Sequence, residues 1–305
     1  MVRFIVRRVL GASVVVFAVV SITFVAMRIA PGSPFSDERA IAPEILRELE
    51  ARYKLQGPIW SQYLDYWQDL LRGDLRLSTK YRNRTVREIL EQSLPISLGL
   101  GSLALVFSLV VGSVLGCLAA LWHNRSADRL VLTISLAGLC IPSFVLAPLA
   151  IFLFSLEFRL VPAAGWGTPR QALLPVLCLA APPTAIVARL LRASLLEVLE
   201  QDFIRTAHAK GLSWQRILWK HAFRPSLLPL ISYASPLAAN LLTGSMVIEE
   251  VFHIPGMGSF FVQSVLNRDV FVTGGIVLVY SLLLVSFNLI SDIFYALCDP
   301  RIRLT

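Results

Sequence analysis

Residues 94–122 read LPISLGLGSLALVFSLVVGSVLGCLAALW, a run that contains no charged side chain. An α-helix rises about 1.5 Å per residue, so about 20 apolar residues cross the roughly 30 Å hydrocarbon core of a bilayer. Lipid offers no hydrogen-bond partner to the main chain, so a segment of this kind is expected to be helical. The run therefore predicts a membrane-spanning helix.

Five other stretches have the same character, and together the six predict an all-α integral membrane protein with six transmembrane helices. Hydrophobic residues make up 56% of the 305-residue chain and charged residues only 16%, and the mean hydropathy is +0.68. A soluble domain of this length needs more charged surface. The six predicted spans are residues 9–27, 94–122, 130–156, 172–191, 227–248 and 271–297.

The net charge of +8 is distributed in a way that predicts orientation. With both termini inside, thirteen Lys and Arg residues fall on the inner side, and the short outer loops hold only Arg159, Arg170 and Arg268. Cytoplasmic loops are enriched in basic residues, so both termini are expected in the cytoplasm of a bacterial inner-membrane protein. No nucleic-acid-binding signature accompanies the charge. The first apolar run is too long for a cleaved signal and is expected to stay as an anchor.

The outer connection, residues 31–93, is too long to be a simple turn. It shows helical periodicity over 43–55 and again over 58–71, where PIWSQYLDYWQDLL concentrates four aromatic side chains. Aromatic residues of this kind favour the membrane interface, or they dock a partner protein on the outer face. The four are Trp60, Tyr63, Tyr66 and Trp67.

The inner connection, residues 192–226, is the other long polar segment. It reads RASLLEVLEQDFIRTAHAKGLSWQRILWKHAFRPS, with apolar residues at helical spacing on both sides of Gly211. Ser213 is a plausible N-cap for the second half. Such a helix–Gly–helix element with basic flanks suits the membrane surface, and it equally suits a groove on a cytoplasmic partner.

Several motifs in this chain resemble one family. Residues 205–211, RTAHAKG, resemble the cytoplasmic EAA loop of ABC-importer permeases in its peptide-transport version, and residues 221–229, HAFRPSLLP, resemble the run that follows it. RFIVRRVL at 3–10, APGSPF at 30–35, GDL at 73–75, GSMVIE at 244–249 with IPGMG at 254–258, and DPRIR at 299–303 are similar to the B subunit of oligopeptide permeases. Their order over nearly the whole chain identifies a member of the oligopeptide and dipeptide permease family with the type I, MetI-like architecture.

The resemblance implies a mechanism. In such importers the EAA element is a coupling helix that sits in a cleft on an ATPase subunit. It transmits the closure of the ATPase dimer to the membrane helices, which gives alternating access. It implies a second homologous permease, two ATPases that bind ATP and Mg, and an extracytoplasmic peptide-binding protein. The residues assigned to ATPase coupling are Asp202, Arg205, Thr206, Ala207, Ala209, Lys210 and Gly211.

The same resemblance divides the chain. Residues 1–30 form the cytoplasmic segment and first helix, and 31–93 an extracytoplasmic region with amphipathic helices. Residues 94–298 form the permease core, with the coupling loop at 192–226, and 299–305 a cytoplasmic tail.

Within the bundle, helix-breaking and polar residues suggest a route. Proline in a transmembrane helix is tolerated where neighbours or water satisfy the freed carbonyl, and an intramembrane acid is a functional candidate. Gly112 and Gly116 are expected to serve close helix packing, and Glu249 and Glu250 to be solvated at the outer mouth. The candidates for the translocation path are Pro142, Pro182, Pro183, Pro236, Asn288 and Asp292.

The chain has no GxxxxGK[ST] motif, no CxxC pair and no catalytic constellation around its four histidines. We therefore expect no catalysis, metal or cofactor in this chain itself. Dipeptides or nickel remain alternative cargoes. A stand-alone proton-coupled transporter, which would show inverted repeats and a midplane carboxylate, is the alternative from another class.

Overall fold

A computed structural model describes residues 2–29, 44, 48, 51, 53, 56–81, 83–243 and 246–298, and for 2–5 and 291–298 it describes the helical backbone. Within those residues the only β pairing is an isolated bridge between Leu77 and Thr85. The helical elements, two of them π-helical, are α1 (Val2–Ile29), α2 (Ile59–Leu71), α3 (Val86–Leu121), α4 (Ser126–Cys140), α5 (Ser143–Ala150), π1 (Ile151–Glu157), α6 (Pro169–Leu199), α7 (Asp202–Ala209), α8 (Trp214–Arg216), π2 (Ile217–Ala222), α9 (Phe223–Ser226), α10 (Leu228–Leu242), α11 (Met246–Val251), α12 (Met257–Leu266) and α13 (Val270–Cys298).

The all-helical architecture is confirmed, and four of the predicted spans are long apolar helices. They are Val6–Ile29 within α1, all of α3 and α6, and Val270–Ile290 within α13. The predicted third span is broken after Cys140, where α4 and the helix Ser143–Glu157 meet at 104°. The fifth is represented by α10, whose 15 residues rise only about 22 Å. Six spans therefore remain a prediction, since four helices meet the length and a fifth does so only as a bent pair.

Capping boxes fix the N-terminal turns of both α3 and α6. Thr85 accepts the N–H of Glu88, and Thr168 accepts the N–H of Gln171, while the acidic or amide side chain reaches back to the cap N–H in each case. These reciprocal bonds satisfy main-chain donors that the first turn leaves free. Both long helices therefore start at residues that the sequence specifies locally.

The centre of the fold is the packing of α3 against α6 and α10, and glycine makes it possible. A Cβ on Gly112 would lie 2.6 Å from Val187 Cγ1, and one on Gly116 would lie 2.5 Å from the Ala188 carbonyl oxygen. Gly101 lies equally close to the main chain of α10. The small residues of α3 therefore let neighbouring backbones approach, as expected for a GxxxG surface.

The outer helix α2 packs along the first span. Trp67 stacks on Phe17 with ring centroids 5.1 Å apart, and Tyr66 stacks on Phe24 at 5.5 Å. The Tyr63 hydroxyl shares a 2.7 Å hydrogen bond with Ser21. The aromatic residues of 58–71 therefore attach this region to α1, except that Trp60 is 77% exposed. Most of the helix predicted over 43–55 lies outside the described residues.

A buried ion pair and a buried acid fasten the rest of the outer region. Arg76 bonds Asp69 at 2.8 Å with both side chains 7% exposed, and its guanidinium lies over the Phe271 ring. Asp269 is fully buried and accepts hydrogen bonds from the Ser78 hydroxyl and the Lys80 N–H. The outer region is thus bound to the start of α13.

Candidate coupling site

Helix α7 is the structural counterpart of the predicted coupling helix. It runs over eight residues and begins with Asp202 in its first turn, where a negative charge stabilises the helix dipole. The Thr206 hydroxyl donates to the Asp202 carbonyl at 2.9 Å, and Arg205 lies 3.4 Å from the Asp202 carboxylate. Both charged side chains are more than three-quarters exposed, so this pair contributes little to stability and both groups face outward.

The end of α7 is a Schellman motif centred on Gly211. The N–H of Gly211 donates to the His208 carbonyl at 2.9 Å, and the N–H of Leu212 donates to the Ala207 carbonyl at 3.3 Å. Gly211 has φ +72°, a left-handed conformation that glycine adopts without strain. No neighbour lies within 4 Å of a Cβ built on it. Within the chain, Gly211 is therefore required for its backbone conformation, and the space around it is open.

The inner face of α7 is anchored in an apolar cluster that joins three long elements. The cluster unites the C-terminal ends of α3 and α6 with α7 and π2, so a displacement of α7 is mechanically connected to both long helices. Its buried members are Cys117, Ala120, Leu195, Val198, Ile204, Ala207, Ile217, Leu218 and Ala222.

The predicted coupling residues divide between the two faces of α7. Asp202, Arg205, Thr206, Ala209 and Lys210 are exposed, whereas Ala207 is only 6% exposed. Ala207, which the resemblance assigns to ATPase coupling, therefore faces the inside of the chain. Its small side chain lets α7 approach the apolar cluster.

The structure adds a feature that the motif does not specify. His208 stacks on Trp214 with ring centroids 5.7 Å apart, and Trp214 remains 48% exposed. Two more large side chains, Phe203 and Trp219, are exposed on the same connection. An exposed aromatic and basic surface of this kind is characteristic of an interaction site. The only sequence signal for the stack is the six-residue spacing across Gly211, which does not define a contact.

The proposed path residues are not brought together in the described structure. Pro142 stands at the 104° break between α4 and α5, so the bend in the third span has a physical cause. Pro182 and Pro183 lie inside α6, which continues through them, and Pro236 and Asn288 are exposed on α10 and α13. The side chain of Asp292 lies outside the described residues.

A group of buried hydrogen bonds, here called the polar clasp, joins α3, α11 and α12. Glu249 is fully buried, and its Oε2 accepts the N–H of Gly258 at 2.7 Å. The adjacent N–H of Met257 donates to Ser97 Oγ at 2.8 Å. A Cβ on Gly256 would lie 2.3 Å from the Glu249 carboxylate, so the loop closes directly over the acid.

The expectation that Glu249 is solvated is therefore wrong, while its neighbour Glu250 is half-buried. Burial raises the pKa of the Glu249 carboxyl, and the hydrogen bonds from Ser97 and from the main chain at Gly258 oppose that shift without cancelling it.

No group of three or more metal-ligating side chains occurs in the part of the chain that the structure describes.

Comparison with known proteins agrees with this geometry. Residues 1–100 match the N-terminal family of binding-protein-dependent transport system membrane components, and residues 112–304 match the binding-protein-dependent transport system inner membrane component family. The oligopeptide transport system permease protein OppB of Haemophilus influenzae is 43% identical over 99% of this chain and 100% of its own length. OppB of Escherichia coli K12 is 41% identical with the same coverage.

A dipeptide permease is about equally similar, and a solved structure has the same fold. The dipeptide transport system permease protein DppB of Bacillus subtilis is 41% identical over 100% of this chain and 99% of its own. The inward-facing MetNI methionine ABC transporter superposes with a TM-score of 0.59 at 20% identity, covering 70% of this chain and 97% of that one. The chain therefore belongs to the inner-membrane component family of binding-protein-dependent transport systems, and it is a multi-pass membrane permease subunit with the MetI-like ABC-permease fold.

Proposed function

We propose that this chain is the permease subunit of an ATP-driven importer of oligopeptides, in which it forms half of the translocation pathway by alternating access. The observation that carries the proposal is α7, because it presents a polar, basic outer face while its inner face is buried against the ends of α3 and α6. A helix with one exposed face and one buried face transmits a displacement imposed by a bound partner to the two long helices it packs against.

The partners follow from what this chain lacks. It has no P-loop, so we place ATP and Mg binding and all hydrolysis in two partner ATPase subunits, and no catalysis or cofactor in this chain. A second homologous permease would complete the path as a heterodimer, and an extracytoplasmic binding protein would deliver the peptide. Both termini would lie in the cytoplasm of the bacterial inner membrane, surrounded by lipid.

The coupling role falls on the exposed part of α7 and its turn. Arg205, whose contact with Asp202 is exposed and weak, and Lys210 would pair with acidic groups on an ATPase, and Ala209 presents a small side chain at the exposed end of the helix. The Thr206 hydroxyl is satisfied by its bond to the Asp202 carbonyl, and Gly211 shapes the turn.

Dipeptides are the second candidate cargo, because the Bacillus subtilis dipeptide permease is 41% identical to this chain and the oligopeptide permeases are 41–43% identical. Identity of the permease does not separate the two cargoes. Nickel is a third possibility within the family and has no specific support here.

The test is reconstitution. The chain is co-expressed with the permease, ATPase and binding-protein genes adjacent to its own, purified through a tag on this chain and placed in liposomes with ATP inside. We expect the ATPases to co-purify and labelled five-residue peptides to accumulate only with ATP and the binding protein. Accumulation of dipeptide or nickel in their place would change the cargo, and proton-driven uptake by the isolated chain would overturn the proposal.

A further inference from the structure

The cytoplasmic corner between α3 and α4 contains a buried acid. The corner follows Leu121, and Asp128 lies in the first turn of α4 with its side chain 3% exposed. Its Oδ2 accepts the N–H of Asn124 at 2.8 Å, and Asn124 is in a left-handed conformation with φ +63°. The acid therefore fixes the corner to the start of α4.

A single arginine on α6 binds the same carboxylate through the two donors on one edge of its guanidinium. Arg192 Nε donates to Asp128 Oδ1 at 2.6 Å, and Nη2 donates to Oδ2 at 2.8 Å. Nη2 also lies 3.0 Å from His123 Nδ1, and Arg192 is only 18% exposed. Bidentate pairing of this kind fixes direction as well as distance, which apolar contacts do not.

The position of the pair relates it to the coupling helix. Arg192 precedes Leu195 by one helical turn, and Leu195 belongs to the apolar cluster that holds the inner face of α7. The end of α3 contributes Cys117 and Ala120 to that cluster, and these apolar contacts hold the helix ends close together without fixing the direction of the corner. The ion pair supplies the fixed connection that these contacts lack.

We propose that Arg192 is a positioning residue for energy coupling, whose bidentate pair with Asp128 locks the α3–α4 corner to the end of α6 so that both move as one body with α7. The inference rests on the proposed function, because it presupposes that an ATPase displaces α7. Loss of the pair would leave α7 attached to α6 but would let the α3–α4 corner lag behind. ATP would then be hydrolysed with less transport.

The experiment uses the complete reconstituted complex with Arg192→Gln and, separately, Asp128→Asn. Arg125→Gln is the matched control, since it removes one exposed arginine from the same corner. Three quantities are measured for each complex: the amount of ATPase that co-purifies, the ATP hydrolysis rate, and the peptide taken up per ATP.

Both pair variants should retain ATPase co-purification and ATP hydrolysis. Peptide uptake per ATP should fall roughly tenfold, because a hydrogen bond between charged groups changes an equilibrium constant by about a factor of ten. The double variant should be no worse than either single one, because the two residues act as a unit. The control should match the parent.

Unchanged uptake per ATP in both variants would overturn the proposal. A loss that merely follows reduced assembly, or an equal loss in Arg125→Gln, would also overturn it by assigning the effect to folding or to net charge. If no ATPase co-purifies with the parent chain, the proposed function itself fails, and that result is distinct from all of these.

Discussion

Replacing Gly211 with valine should uncouple this protein with little effect on the fold of its membrane helices. Gly211 has φ +72° and lies at the end of α7, where its own N–H and that of Leu212 complete the Schellman motif. The left-handed conformation costs a non-glycine residue about 1–2 kcal/mol, and a β-branched side chain is at the unfavourable end of that range. Nothing lies within 4 Å of an added Cβ, so no steric cost arises inside the chain.

The size of the effect follows from that cost. About 1.4 kcal/mol changes an equilibrium constant tenfold, so valine should reduce the equilibrium constant for forming the native turn by roughly ten- to thirtyfold. Alanine should cost about 1 kcal/mol. Asparagine tolerates the left-handed region, so it should preserve the turn while adding a side chain to the open space around it.

The assay is peptide uptake and ATP hydrolysis by the reconstituted complex for Gly211→Val, Gly211→Ala and Gly211→Asn. If only the conformation of the turn matters, uptake should be highest for Gly211→Asn, lower for Gly211→Ala and lowest for Gly211→Val. If a partner cleft also closes over the glycine, asparagine should lose ATPase co-purification as severely as valine does. Normal uptake by the valine variant would refute the assignment of this turn to coupling.

Three further perturbations test the fold and the polar clasp. Gly101→Val should destabilise the purified protein by about 1–3 kcal/mol, because a Cβ there would meet the main-chain carbonyl of Leu241; an unchanged melting temperature would contradict the close approach of α3 and α10. Burial raises the pKa of Glu249, so its contribution to stability is complete below its unfolded pKa and is lost as pH rises through the folded one. Glu249→Gln should therefore flatten the pH dependence of thermal stability above about pH 4, and a curve parallel to the parent's would argue against a raised pKa at Glu249. Tyr66→Ala should cost about 3 kcal/mol because the ring is buried, whereas Trp60→Ala, at an exposed position of the same helix, should change stability by less than about 0.5 kcal/mol; equal losses measured by denaturant titration would show that α2 does not pack on α1 as described.

The sequence predicts those features, such as apolar helices, that depend only on the composition of one continuous segment. Four predicted spans coincide with long apolar helices, because lipid requires continuous hydrophobicity and internal hydrogen bonding, both of which are properties of a linear segment. Gly211 was identified in the same way, since glycine in a basic amphipathic pattern indicates a helix end. Pro142 indicates a break in the third span, although the 104° angle depends on contacts with other helices.

Whether a helical residue faces the protein interior or the surface was harder to predict. Ala207 and Ala209 are indistinguishable as small residues in a motif, yet one is buried against the apolar cluster and the other is exposed. Solvent exposure was expected for Glu249 because an acid is costly to bury, and its burial is made tolerable by donors from the loop folded over it and from Ser97 on α3. The Arg192–Asp128 pair joins residues 64 positions apart, and no local pattern predicts such a contact.

The central claim is that this permease moves peptide only when an ATPase acts on α7. Its most direct test is ATP-dependent peptide uptake by liposomes that contain the complete complex, compared with liposomes that contain the same complex carrying Gly211→Val. The account predicts uptake that requires both ATP and the binding protein, and its loss in the variant although both permeases and the membrane helices remain intact. Equal uptake by the two preparations, or uptake without ATP, would contradict it.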